Sequence, residues 1–456
     1  MLSTEERKRK RISSGLLTGL ILASLEQTII AAAMPTVARQ LGDFALYSWV
    51  FSSYMLASTT VMPIYGKLAD VFGRKIMYLI GLLIFIAGSL LCGLAGSMAE
   101  LIAFRAIQGV GAGALLPLSF TIVADLYPAE QRAKFMALFS ASFAGASICG
   151  PALGGVLAER DWSWIFFINV PIGLAAFFIL AEALENKRRP GATPAYDWWG
   201  TAAFAGGSVA LLSALVMGGR ELAWISRPII GLLLGGALLL LAFLWIETKA
   251  KEPLIPLRLF KNRIIATTSI VAFFISAGMF GAVAYIPLFV QRVIDVSPSI
   301  AGYILVPLML ATIVTTVGSR RWMMKVPYRT ILAPSVALTL IGFLFFSRLD
   351  ANTPAWQIVL CMIVTGLGLG AVFPTVGTAA QHAVSRNQLG VATSANQFFR
   401  SVGGAFGVAV MGGMLSDQEA LTTAVGEVFL LGAVFVGISL AATFALGRAA
   451  LTQSSE

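Results

Sequence analysis

The sequence predicts an all-α integral membrane protein with fourteen transmembrane helices. Hydrophobic residues make up 58% of the 456 residues and charged residues only 12%, against about 25% charged in ordinary soluble domains. At about 21 residues per crossing, fourteen crossings use about 294 residues and leave loops of about eleven residues each. Such a chain has no room for a soluble catalytic domain.

Six apolar runs fill residues 12–183, which we predict to form an N-terminal six-helix bundle. The predicted spans are 12–35, 46–69, 76–96, 99–124, 135–158 and 162–183. A charged linker, 184–197, follows, and two additional helices occupy 198–247. After a basic connector, 248–263, a C-terminal six-helix bundle is predicted over 264–447, with spans 264–291, 299–318, 330–346, 355–380, 390–415 and 427–447.

A weak internal repetition supports two related halves. A shift of 258 residues places Gly145 on Gly403, and the pair Gly154 and Gly155 on Gly412 and Gly413. Transporter halves are often built as inverted repeats, and we expect that arrangement here. A glycine-rich chain can also produce such a match by chance.

The positive charge fits a membrane protein better than a nucleic-acid partner. Of the 32 Lys and Arg residues, about 24 fall on segments that the positive-inside rule assigns to the cytoplasm. We therefore expect a multi-pass protein of the plasma (inner) membrane, with the termini 1–11 and 448–456 both cytoplasmic. The three cysteines lie in apolar runs and His382 is the only histidine, so we expect no metal site, no cofactor and no enzyme.

Glu26 and Arg105 are the charges that we expect to matter most, because a charge at the bilayer centre costs about 2.5–3.5 kcal/mol. Counting about 1.5 Å per residue from the predicted helix ends puts each side chain about 9 Å below the outer boundary. A static buried pair and two separately hydrated residues are the alternatives to a titrating carboxyl. Arg400 is also deep and has no acid partner visible in the sequence.

The connector after the second span has a distinctive pattern, GKLADVFGRK, from Gly66 to Lys75. It resembles the loop signature of the major facilitator superfamily, with Val71 where a basic residue is common. The resemblance implies that this loop is a conformational latch. Its members would be Gly66, Asp70, Gly73, Arg74 and Asp125.

Three further patterns indicate which family within the superfamily the sequence resembles. Arg105, Gln108, Gly109, Gly111 and Gly113 look like the fourth-span motif, whose arginine is associated with proton coupling. The antiporter motif of exporters is matched by Gly145, Gly150, Pro151, Gly154 and Gly155. The stretch 25–35, with Glu26 for the usual Asp and Ala31 for a common Asn, resembles the fourteen-span drug:proton antiporter family, as do Trp162, Trp164, Phe166, Phe167, Asn169, Pro171 and Gly173.

The resemblance implies a multidrug efflux transporter that exports lipophilic drugs in exchange for protons, confers antibiotic resistance and works as a monomer. Glu26 and Arg105 would couple the proton. The substrate pocket candidates are Gln27, Tyr54, Met55, Met279, Tyr285, Asn396, Gln397 and Phe399, chosen as aromatic, methionine or amide side chains on spans expected to face a cavity. A dedicated exporter of one metabolite, antibiotic or lipid, a membrane enzyme and a passive channel are the alternatives.

Overall fold

Helices form nearly all of the regular structure in the computed structural model. The structure describes residues 4–42, 46–128, 135, 138, 142, 145–146, 149–150, 153–154, 156–157, 160–186, 196–219, 222–250, 253–255, 257–292, 306–323, 325–349, 353–385, 388–413 and 421–446. Across these residues, strand-like pairing is limited to one isolated bridge between Gly218 and Leu222. The described chain is therefore all-α, as its composition predicts.

The helices follow the apolar runs closely. Those before the central linker are α1 (Thr4–Leu41), α2 (Tyr47–Phe72), α3 (Arg74–Gly93), α4 (Met98–Leu126), α5 (Trp164–Phe167) and α6 (Asn169–Ala183). The additional central pair is α7 (Trp198–Met217) and α8 (Arg227–Lys249). After a 3₁₀ turn at Leu257–Lys261 come α9 (Arg263–Arg292), α10 (Val306–Met323), α11 (Tyr328–Phe346), α12 (Ala355–His382), α13 (Leu389–Gly413) and α14 (Leu421–Phe444).

Ten helices within the described residues are long and apolar enough to cross a membrane, and Val306–Ser319 is a shorter apolar helix. The helices α2 and α13 are more polar, but their 26 and 25 residues exceed the roughly 20 that a crossing needs. Much of the predicted fifth span, 135–158, lies outside the described residues. The protein is a multi-pass helical membrane protein, and the count of fourteen stays a prediction.

The first of two compact units comprises the described residues of Met1–Ala205, Ile246–Ile255 and Arg386–Ser394. Its main core surrounds Tyr78, Phe85 and Leu115, which are all fully buried. The backbones of α3 and α4 approach closely, since a Cβ added to Gly111 would lie 2.7 Å from the Cα of Phe85. Small residues at such crossings are a general device of membrane helix packing.

Two segments of the first unit come from distant parts of the chain. Gly390, at the start of α13, lies against Asp70, because a Cβ added there would be 2.6 Å from the Asp70 Oδ1. Glu247, near the end of α8, is only 5% exposed. Its Oε1 accepts hydrogen bonds from the backbone N–H of Leu254 at 2.8 Å and of Ile255 at 3.3 Å. This carboxylate therefore fixes the connector that follows the central helix pair.

The second unit comprises the described residues of Gly206–Trp245, Pro256–Ser385 and Ala395–Glu456. Its core is built largely from α9, α11, α12 and α14. Phe343, Phe346 and Phe429 are fully buried there, and the rings of Phe346 and Phe429 stack with centroids 5.1 Å apart. Three aromatic side chains thus pack within the largely aliphatic core of this unit.

Candidate functional site

Glu26 and Arg105 meet inside the first unit. Both are almost completely removed from the surface, at 0% and 1% exposure. The Arg105 Nη1 donates to the Glu26 Oε1 at 2.5 Å. The two side chains therefore lie at one level of the bundle, as the depth count predicts. Their role in proton coupling stays a prediction.

Gln108 and Ser89 extend the cluster on α4 and α3. The Arg105 Nη1 also donates to the Gln108 Oε1 at 2.6 Å, and the Gln108 Nε2 donates to the Ser89 Oγ at 3.0 Å. The close approach of α3 to α4 at Gln108 requires a glycine at position 88, because a Cβ on Gly88 would lie 2.6 Å from the Gln108 Cα. Helix packing thus brings the amide to the guanidinium.

Asn169 joins the cluster from the first residue of α6. Only Ile168, whose φ of −59° and ψ of −26° are helical, separates α5 from α6. Pro171, two residues into α6, has no N–H to donate to the carbonyl of Phe167. The Asn169 Nδ2 donates to the Glu26 Oε2 and, at 2.9 Å, to the Ser89 Oγ. Ser89 in turn donates to the carbonyl of Phe166 at 3.0 Å. Both carboxylate oxygens of Glu26 are therefore hydrogen-bonded.

The remaining surface of Arg105 is covered by α2. Its Nε donates to the carbonyl of Val50 at 3.2 Å, and its Cζ lies 4.2 Å from the ring centroid of Tyr54. A buried ion pair survives only when hydrogen bonds of this kind offset its desolvation. Each charge in the cluster is accordingly held by several partners from different helices.

The arrangement can stabilise a carboxylate deep in an apolar bundle. Neutralising Glu26 would remove the charge that Arg105 faces and would put a hydrogen on an oxygen that now accepts hydrogen bonds. The two protonation states of Glu26 therefore require different surroundings. A difference of that kind lets a proton favour one conformation over another.

The loop from α2 to α3 forms a second polar centre. Arg74 forms ion pairs with Asp125 and, at 3.7 Å between its Nη2 and the Asp70 Oδ1, with Asp70. Its Nη1 also donates to the carbonyl of Thr121 at 3.3 Å. Gly73 has a φ of +101°, a conformation that side chains rarely adopt. The structure brings Asp70, Arg74 and Asp125 together, and the function of the predicted latch residues stays a prediction.

Comparison with known proteins agrees with this picture. A sequence model of the Major Facilitator Superfamily matches residues 16–408. The chain belongs to the major facilitator superfamily. The chain is 38% identical to the multidrug transporter protein MdtP of Bacillus subtilis. The alignment spans 416 residues and covers 91% of this chain and 77% of that protein.

A second relative of this superfamily member is the multidrug resistance protein 3 of Bacillus subtilis. It is 39% identical over 415 residues, covering 90% of this chain and 80% of that protein. The fold also matches the crystal structure of the human organic anion transporter MFSD10 (TETRAN) with a TM-score of 0.68, over 95% of this chain and 100% of that one. Because the identity to MFSD10 is only 16%, this similarity shows the fold alone.

Two of the predicted antiporter glycines, Gly150 and Gly154, lie beside α1. A Cβ on Gly150 would be 2.7 Å from the Thr28 Cβ, and the Thr28 Oγ1 donates to the carbonyl of Ala146 at 2.9 Å. Gly154 lies against the backbone of Ile29, whereas a Cβ on Gly145 would meet nothing within 4 Å. Pro151 and Gly155 lie outside the described residues.

The predicted pocket residues are described here within their own units, and their role in binding a compound stays a prediction. Tyr54 is buried beneath Arg105 and so belongs to the charge cluster. Met55 is 47% exposed, while Met279 packs on the core of the second unit. The Asn396 Nδ2 donates to the carbonyl of Thr268 at 3.5 Å. Gln397 is half-buried. The ring of Phe399 packs with its centroid 5.8 Å from that of Phe260. The side chains of Gln27 and Tyr285 are not among those that the structure describes.

Sequence reasoning missed Ser89 and gave Gln108 and Asn169 no role beyond motif membership. All three are fully buried polar residues, and polar side chains in apolar spans are the signal that could have identified them. His382, the only histidine of the sequence, contacts the Tyr328 hydroxyl through its Nδ1 at 2.6 Å. Arg400 lies with its Cζ 4.2 Å from the ring centroid of Phe373.

Proposed function

We propose that this protein is a secondary multidrug exporter that exchanges an inward-moving proton for an outward-moving lipophilic compound by alternating access. The buried contact between Glu26 and Arg105 is the observation that carries the proposal. A carboxylate held at 0% exposure is a costly feature in a membrane helix, and such groups generally mark ion or proton pathways. The multidrug names of the two Bacillus relatives support export of varied compounds.

The energy comes, in this proposal, from the proton gradient and not from a nucleotide or a cofactor. Membrane potential contributes about 2.3 kcal/mol per charge per 100 mV. Protonation of Glu26 from the outer side would release the compound, and loss of that proton to the cytoplasm would restore affinity for the next one. Coupling follows because the proton and the compound favour different states.

The chain would work as a monomer in the plasma membrane, with both termini in the cytoplasm. The asymmetric placement of Lys and Arg supports this orientation. Its cargo would be monovalent lipophilic cations, zwitterions or neutral compounds, since no second deep carboxylate is visible in the C-terminal half of the sequence.

Dye efflux in inverted vesicles, with and without a pH gradient, tests the proposal. We expect E26Q to abolish gradient-driven efflux, by at least tenfold, while the protein remains folded. The matched control is E427Q, which changes an exposed glutamate and should leave efflux intact. Normal gradient-driven efflux by E26Q would disprove the role of Glu26. Competition among a panel of unrelated compounds separates a multidrug exporter from a dedicated one.

A further inference from the structure

Only the N–H₂ group of the Asn169 amide has hydrogen-bond partners among the described residues. Its Nδ2 donates to Glu26 and to Ser89, but its Oδ1 is buried and accepts no hydrogen bond from the described residues. The side chain itself is 0% exposed. Buried polar atoms without a partner are uncommon and call for an explanation.

The charge of Glu26 explains this orientation. Facing a carboxylate, an amide must present its N–H₂ group, because the oxygen would repel the acceptor. The Oδ1 atom then points to the other side, where no described residue donates a hydrogen bond to it. The present packing of α6 against α1 is therefore suited to ionised Glu26.

Protonation of Glu26 changes what the amide must supply. A proton taken from outer water onto Oε2 forms an O–H bond that needs an acceptor, and the nearest amide presents N–H instead. Rotating the amide would aim Oδ1 at the new O–H, and the Ser89 hydroxyl could then donate to the same oxygen. However, the rotation would turn both N–H bonds away from Glu26 and Ser89, toward the side on which no described residue donates to Oδ1. The amide orientation seen here therefore suits the ionised carboxyl, and a neutral Glu26 requires the amide to turn or to move.

We propose that Asn169 is a positioning residue that makes the packing of α6 on α1 depend on the protonation of Glu26. This inference rests on the proposed function, in which Glu26 carries the proton. Protonation leaves a buried hydrogen-bonding group unsatisfied and so favours a different placement of α6. The backbone hydrogen bond that Pro171 cannot donate lies next to Asn169, and a proline is a common cause of helix bending.

The test uses purified full-length protein in liposomes, with dye efflux measured as a function of pH on the cytoplasmic side. N169L keeps the size of the side chain and removes its hydrogen bonds. Because the carboxylate loses a donor, Glu26 should keep its proton to higher pH. We expect the pH of half-maximal efflux to rise by about one to two units, the shift expected for losing a hydrogen bond to a charged group.

N169D is the second variant, since it also keeps the size and replaces the donor with an acceptor. It should shift the profile at least as far as N169L. Infrared difference spectroscopy gives an independent readout for N169L, which adds no carboxyl: the protonated carboxyl band that is absent in E26Q should persist to higher pH in that variant. N262A removes a connector amide that donates to the carbonyl of Ala383, and it should leave the profile unchanged.

The outcomes separate the two proposals. Folded N169L or N169D with the wild-type pH profile and carboxyl band would overturn the role of Asn169, provided that E26Q is inactive. Gradient-driven efflux by E26Q would overturn the proposed function itself. A loss of thermal stability without any shift in the profile would mean that Asn169 is only structural, and this too would overturn the inference.

Discussion

Arg105 and Arg400 are both arginines within long apolar helices, but their charges are stabilised differently. Arg105 faces Glu26 and three further hydrogen-bonding or aromatic partners. Arg400 lies over the ring of Phe373, and no carboxylate among the described residues pairs with it. A cation over an aromatic face gains about 0.5–2 kcal/mol. The contrast indicates that the ion pair, and not the buried cation alone, distinguishes the first unit.

Removing Arg105 should have the largest effect on stability. R105A leaves the Glu26 carboxylate buried without its cation, which typically costs about 3–5 kcal/mol. We expect a clearly lower melting temperature in detergent and no efflux. R400A is the matched control and should cost much less, because it leaves no acid unpaired. Equal losses in the two variants would refute the contrast.

Replacing both Glu26 and Arg105 with neutral residues should restore part of the stability that is lost when Arg105 alone is replaced. We expect E26Q/R105M to recover about 2–3 kcal/mol relative to R105M, because buried ion pairs can be replaced by neutral side chains at little cost. Efflux should remain absent, since the titrating group is gone. Thermal unfolding of the wild type, both single variants and the double variant measures the coupling. Additive losses would show that the pair does not interact as its geometry implies.

Changes at Arg400 should have the smallest effects. R400Q removes the cation over the ring, and we expect a loss of about 1 kcal/mol with more than half of the efflux of a cationic dye retained. F373L should cause a similar loss, because it removes the other half of the same contact. A complete loss of gradient-driven efflux in R400Q would mean that the second unit also carries a coupling charge.

The approach of Glu26 to Arg105 could be predicted because helix rise and span ends fix the depth of a residue. Depth does not fix which way a side chain points around its helix. Tyr54 shows this limit, because depth alone does not predict that its ring lies beneath the guanidinium of Arg105. Ser89 and Asn169 come close only through the packing of α3 and α6, which no local pattern specifies.

The helices themselves were easier to predict, since long apolar runs in a membrane leave the backbone few alternatives. Their breaks were harder. Ile168 separates α5 from α6 shortly before Pro171, whereas Pro117 lies within an unbroken α4. Both predicted spans contain a proline, so the sequence alone does not distinguish the two cases.

The hydrogen bonds of Glu247 limit how the chain can be shortened. A twelve-helix variant made by joining residue 197 to residue 248 would lack Glu247, whose carboxylate accepts hydrogen bonds from the N–H groups of Leu254 and Ile255. Each buried donor left without a partner costs about 1–3 kcal/mol. A deletion that stops one residue earlier keeps the carboxylate. Engineering of the central pair should therefore treat Glu247 as part of the connector and not as part of the removable insert.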